Sequence, residues 1–204
     1  MPRTGERGGP QTRARISEAA ARLFLERGFD AVTVAEVARE AGVSSVTVFN
    51  HFPRKEDLFL DRAVDADELL RSAVRDRATG VDALTSLRDA TLRLVDGLHP
   101  LSGVNDRSIP FFRTVAASPA LIARAREIAS DLQGTLAEEL ERDPNFEGDA
   151  TLLAAFFIAG YGTVLVETAR RLIAEEPRSA VVDDHRARFE RLFDALRNGV
   201  VPRP

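Results

Sequence analysis

The sequence predicts an all-α protein: a three-helix unit of helix-turn-helix type at the N-terminus, followed by a larger helical domain. Three observations predict it. Apolar residues recur at helical spacing along most of the chain, and no alternating strand run flanks a hairpin turn. Two very short helical segments are joined through Ala41-Gly42-Val43. Finally, 204 residues with 44% apolar and 29% charged side chains can bury a core beyond that small unit. The expected divisions are a disordered basic arm over 1–10, a helix-turn-helix domain over 11–57 and a C-terminal domain over 58–204.

The first helix is read from Ile16, Ala19, Ala20, Leu23 and Phe24, spaced as one amphipathic face, and it stops at Gly28. Thr33 and Glu36 fit a capping box and open a second helix, with Val34, Val37, Ala38 and Ala41 inward. Gly42 closes it after barely two turns. Ser44 can cap a third short helix, with Val48 and Phe52 inward and Pro53 as its stop. Two such helices cannot bury a core alone, so the first must lie behind them. Small Ala38 permits a close crossing, Gly42 can take the left-handed conformation of a sharp reversal, and Val43 and Val48 plug the junction.

Beyond this unit, a helix is expected over 54–77 with a stripe of Phe59, Ala63, Ala66, Leu70 and Ala73, broken at Gly80. Leu84, Leu87, Thr91, Leu94 and Leu98 mark the next, ended by His99-Pro100. Residues 99–110 read as a loop. Ser118-Pro119 is a strong helix start, and Asp143-Pro144-Asn145 a turn. Two helices close the chain, over about 147–175 and 178–198. The stretch 151–166, TLLAAFFIAGYGTVLV, is apolar all round, so every side of it should be covered. It is shorter than the roughly 20 residues of a membrane span.

Charge and composition exclude several classes. There is no cysteine, hence no disulfide or thiolate metal site. The polar first ten residues lead us to expect no secretory leader, no membrane partner and a cytoplasmic location. Net charge is −4, but residues 1–60 carry nine basic against eight acidic side chains, with Arg3, Arg7, Arg13 and Arg15 near the start. That edge could face phosphates or be a solvated tail. No nucleophile elbow, phosphate loop or dinucleotide fingerprint occurs, and three scattered His do not make a triad, so an enzyme is not expected. Asp183-Asp184-His185 splays around a helix and is not a metal set; no metal or cofactor is expected.

Residues 12–59 resemble the DNA-binding domain of the TetR/AcrR family. The resemblance rests on Ala19-Ala20, Leu23-Phe24, Arg27-Gly28-Phe29, Thr33-Val34, Val37-Ala38, Ala41-Gly42-Val43, an aromatic at 49, His51-Phe52-Pro53, Lys55 and Leu58. It implies a transcription regulator, mostly repressors in the family, that binds a palindromic double-stranded operator as a homodimer. A small, mostly apolar effector would release it. The alternative is a helical ligand-sequestering protein that has lost operator binding.

The residues implied for DNA contact are Thr33, Ser44, Ser45, Val46, Thr47, Phe49, Asn50, His51 and Lys55. The third helix would lie in the major groove. Asn50 has the amide geometry to pair with adenine, Thr47 could reach a base or phosphate, and Val46 could pack on a thymine methyl. The family commonly has Tyr where Phe49 stands, so one phosphate contact is lost and Phe49 is either a DNA contact or core. Lys55 is the chain's single lysine among 28 basic residues, and the family's matching lysine meets a phosphate. Thr33 caps its helix and is a candidate phosphate contact; His51 could touch phosphate or pack at the domain edge.

For the C-terminal domain the resemblance implies an effector cavity and a dimer formed by the last two helices. Candidate cavity residues are Leu94, Leu98, His99, Phe111, Phe112, Phe157 and Tyr161, with Phe111-Phe112 as a gate; each aromatic could equally be core. Candidate interface residues are Phe156, Tyr161, Leu165, Phe189, Leu192 and Phe193. Ligand would favour a spacing of the DNA-binding units that misfits the operator.

Overall fold

The structure, a computed structural model, describes residues 9–198; Arg3 and Arg7 of the expected basic arm lie outside them. Among the described residues there are nine α-helices, two short 3-10 turns and no strand. The helices are α1 (Pro10–Arg27), α2 (Val34–Glu40), α3 (Ser45–His51), α4 (Ala63–Arg75), α5 (Ala83–Asp96), α6 (Ser108–Ala117), α7 (Pro119–Arg142), α8 (Ala150–Ile173) and α9 (Arg178–Asn198). The chain divides into two compact units. One holds residues up to Asp61 together with Arg113–Ala125; the other holds Arg62–Phe112 and the residues from Arg126 on.

Two elements differ from the sequence expectation. The helix read over 54–77 starts only at Ala63, after a 3-10 turn at Glu56–Leu58. The Arg54 N–H donates to the Asp57 carboxylate at 3.2 Å, holding a turn there. Phe59 is buried edge-on against Phe24, with ring centroids 5.8 Å apart, so it belongs to the first unit's core and not to an α4 stripe. The stretch read as loop before residue 110 contains the start of α6. Pro110 disguised it: in the first turn of a helix its missing N–H removes no intrahelical bond.

In the first unit α1 buries Ile16, Ala19, Ala20 and Phe24 against Val37, Ala38, Val48 and Phe52 of the short helices. The Phe24 ring also meets Phe29, at 4.9 Å between centroids. The start of α7, with Ser118 before it, belongs to this unit and is held by two polar ties. Arg124 Nε pairs with Asp57 at 2.8 Å, and the buried Ser118 hydroxyl donates to Asp30 at 3.2 Å.

In the second unit α4, α5, α7, α8 and α9 enclose a core that includes Leu70, Leu87, Leu136, Leu140, Phe157 and Phe193. A second cluster gathers Leu92, Val95, Val104, Val164 and Phe189. α8 and α9 meet closely at Gly160, where any Cβ would overlap the Leu192 side chain. Buried Glu139 on α7 pairs with Arg71 at 2.8 Å and Arg75 at 2.5 Å, both on α4. The Arg75 guanidinium, with its hydrogen bonds, is the main influence holding that carboxyl below its usual range, against the cost of burial.

By length and composition α8 could cross a membrane, with a mean hydropathy of 1.7 over its most apolar window. The residues after Val166 add the charged Glu167, Arg170 and Arg171 to the apolar run. Asp183-Asp184-His185 splays as expected of adjacent helical residues. Asp184 pairs with Arg171 at 2.6 Å and Arg188 at 2.7 Å, while the His185 ring is buried.

Candidate nucleic-acid interface

The helix-turn-helix is built by local chemistry. Thr33 and Glu36 form the capping box: the Glu36 N–H donates to Thr33 Oγ1 at 3.2 Å, and the Thr33 N–H to Glu36 Oε2 at 2.8 Å. The hydrogen bonds that the Thr33 N–H and hydroxyl donate to the Glu36 carboxylate, then that from Arg27, lower its pKa to about 2. Gly42 takes φ +64°, and the Val43 N–H closes back on the Ala38 carbonyl at 2.9 Å, a left-handed helix exit. Ser44 then caps α3 by accepting from the Thr47 N–H at 3.1 Å. With Val48 fully buried on one side, the rest of α3 is directed outward.

Of the implied contact residues, Ser44, Val46, Phe49 and Asn50 are exposed, and Ser45, Thr47, His51 and Lys55 are partly so. Val46 is 69% exposed and Phe49 49%, so Phe49 is not core. The Thr47 hydroxyl lies 2.9 Å from that of Ser44, so the cap engages it. Lys55 Nζ sits 4.2 Å over the Phe29 ring, a cation–π contact that fixes the ammonium beside the start of the 3-10 turn.

Sequence reasoning grouped Arg13 with a basic edge but missed its structural part. Its guanidinium lies 4.1 Å over the Phe52 ring and donates to the His51 carbonyl at 2.6 Å, bracing the C-terminal end of α3 from α1. The 38-residue separation leaves no local sequence signal for that contact.

The implied effector residues do not come together around one cavity. Leu94 and His99 border an open groove of about 630 Å³ between α4 and α5. Leu98 is exposed at the end of α5, with φ +48°. Phe157 is core, 5.7 Å from the Phe193 ring. The Tyr161 hydroxyl donates to the Leu101 carbonyl at 3.0 Å, and burial pushes its pKa up. Phe111 and Phe112 pack edge-on at 5.6 Å. The segment after α5 is packed into the second unit. Its Ser102 and Val104 are buried, and Val104 packs in one cluster with Val164 and Phe189.

The implied interface residues also separate. Phe189 and Phe193 are buried in the subunit's own core, Leu192 packs on Gly160, and Leu165 and Tyr161 are half-buried. Phe156 alone of the six is fully on the surface, at 60% exposure, and Leu152 and Val166 of the same helix are exposed with it. Leu152 and Phe156 stand at i and i+4, and Val166, ten residues further on, returns to the same side of the helix. An all-round apolar helix gave no way to tell which face the subunit covers itself.

Residues 16–61 match the family model of bacterial regulatory proteins, tetR family. Full-length structural likeness accompanies it: FadR of Thermus thermophilus, a TetR-family transcriptional repressor solved in complex with lauroyl-CoA, is 26% identical. It superposes at a TM-score of 0.57 over 94% of this chain and 96% of that one. The N-terminal helix-turn-helix domain of this chain is of the TetR/AcrR family.

Among curated members, the transcriptional regulator TcmR of Streptomyces glaucescens is 26% identical over 166 residues, covering 76% of this chain and 70% of TcmR. TtgR of Pseudomonas putida is 33% identical over 102 residues, 48% of each chain. With TtgR and several other curated relatives, the chain aligns over about half or less of their length. NalD of Pseudomonas aeruginosa, at 22% identity and a TM-score of 0.59, shares the fold. α3 is the second short helix of that helix-turn-helix.

Proposed function

We propose that this regulator is a homodimeric repressor that binds a near-palindromic operator and is released by a small molecule. The observation that carries the reading is α3. It buries Val48, is braced from behind by Arg13, and presents Val46, Phe49 and Asn50 outward. A helix so anchored has its reading face set before DNA arrives. Thr33, Ser44, Ser45, Thr47, His51 and Lys55 surround that face as candidate phosphate or base contacts.

The dimer is proposed through α8. Leu152, Phe156 and Val166 form an exposed apolar stripe, with Ala159 between them, on a helix whose opposite side packs on α9. A second copy covering that stripe explains its composition better than a lipid bilayer does. Glu167, Thr168, Arg170 and Arg171 share the helix, and Arg171 pairs with Asp184 of α9.

The effector is proposed to engage the α4–α5 groove, whose floor includes Leu69, Ala73 and Leu94 and whose rim includes Asp89 and Arg93. That lining suits an apolar body with a charged or hydrogen-bonding end. Ligand and operator would then bias one conformational equilibrium in opposite directions.

Selection from random duplex DNA, repeated with Asn50→Ala and at two salt concentrations, tests the function. A palindrome enriched by the parent and relaxed in the variant is expected, with affinity falling steeply as salt rises. Enrichment of no sequence would favour the alternative, a ligand-sequestering protein.

A further inference from the structure

Two of the exposed large apolar side chains in the first unit, Val46 and Phe49, stand three residues apart on the seven-residue α3. Residues i and i+3 of a helix are surface neighbours, so the two side chains form one apolar patch. Neither Val46 nor Phe49 can hydrogen-bond to a phosphate or a base edge. Holding them in water has a cost that a purely polar reading helix would not bear.

The major groove offers such a patch one apolar match that differs between base pairs: the C5-methyl group of thymine. We propose that Val46 and Phe49 are specificity-determining residues that read thymine methyl groups, so each half-site holds thymines at the positions under α3. Asn50, exposed one residue further along, adds the hydrogen-bonded readout. This inference rests on the operator-binding function proposed above.

The test uses the full-length protein and the duplex it enriches from a random pool. In a second synthesis, the thymines of one half-site are replaced by deoxyuridine, which removes only the methyl groups and keeps the base pairing. Burying one methyl-sized group corresponds to about fourfold in affinity. Loss of two such contacts should therefore weaken binding roughly tenfold or more. The double variant Val46→Ala, Phe49→Ala, altered only at exposed positions, should bind the two duplexes with equal affinity.

Equal affinity of the parent for the thymine and deoxyuridine duplexes would overturn the inference while leaving operator binding intact. A Phe49→Ala variant that loses affinity but keeps the full thymine preference would remove Phe49 from the reading pair. A parent protein that enriches no duplex would overturn both the inference and the function beneath it.

Discussion

Thr168 Oγ1 and His185 Nδ1 lie 2.7 Å apart, buried in the seam where α8 packs on α9. The other ring nitrogen, Nε2, is buried and makes no hydrogen bond of ordinary geometry among the described residues. Burial lowers the imidazole pKa to about 4, and the Ser102 carbonyl and Asp184 only partly oppose it. The folded ring is neutral, whereas the unfolded chain takes up its proton near the ordinary value of ~6.5. Stability is therefore complete above about pH 6.5 and falls as pH drops toward 4. The slope approaches ~1.4 kcal/mol per pH unit and the total is about 3 kcal/mol. Urea melts across that window should show the slope, and His185→Gln should flatten it. An unchanged slope in the variant would refute the assignment.

Gly160 lets α8 approach α9 at Leu192 with no atom to spare. Gly160→Val should destabilise the fold by about 1–3 kcal/mol through overpacking, and Leu192→Ala should recover part of the loss. Thermal melts of the two single variants and the double variant give the coupling. Strict additivity would mean that the contact is not made.

The Thr33 capping box is expected to matter to stability apart from any DNA contact. Thr33→Ala should cost about 1 kcal/mol. Thr33→Ser should restore most of that stability, since it keeps the accepting oxygen. Operator affinity of the serine variant, set against its melting temperature, separates the capping role from phosphate contact.

Phe156, at the middle of the exposed α8 stripe, should be central to self-association. Phe156→Glu places a charge in an apolar interface and should shift the sedimenting species from dimer to monomer. Melting of the monomer fold should change little, because the position is exposed within the subunit. A parent protein that sediments as a monomer at micromolar concentration would remove the dimer from the reading.

Asn50→Ala should lower operator affinity by about 1–3 kcal/mol and relax the sequence preference at one position. The fold should be unaffected, since the residue is exposed. Quantitative binding to the enriched duplex and to its single-base variants measures both effects.

What was legible in the sequence was local. The Thr33–Glu36 box, Gly42, the Ser44 cap and the inward Val48 are encoded within a few residues of one another, and each acts through backbone hydrogen bonds that neighbours satisfy. Such signals gave the helix-turn-helix and its outward face, and the Ser118-Pro119 start marked α7. The start of α6 was missed because Pro110 reads as a breaker unless its place in the first turn is known.

The sequence by itself determined that the chain is helical, where most helices begin and end, and which residues of α3 point away from Val48. Periodicity, capping groups and turn residues fix those features through interactions a few residues long. Tertiary structure alone decided which aromatics became core. Phe157, Phe189 and Phe193 look the same in sequence as exposed Phe156, and only packing against distant helices separates them. It also placed Arg13 behind α3 and buried Ser102 and Val104. Each of these depends on contacts between residues far apart in the chain, and hydrophobic periodicity records that a face is buried without recording what buries it.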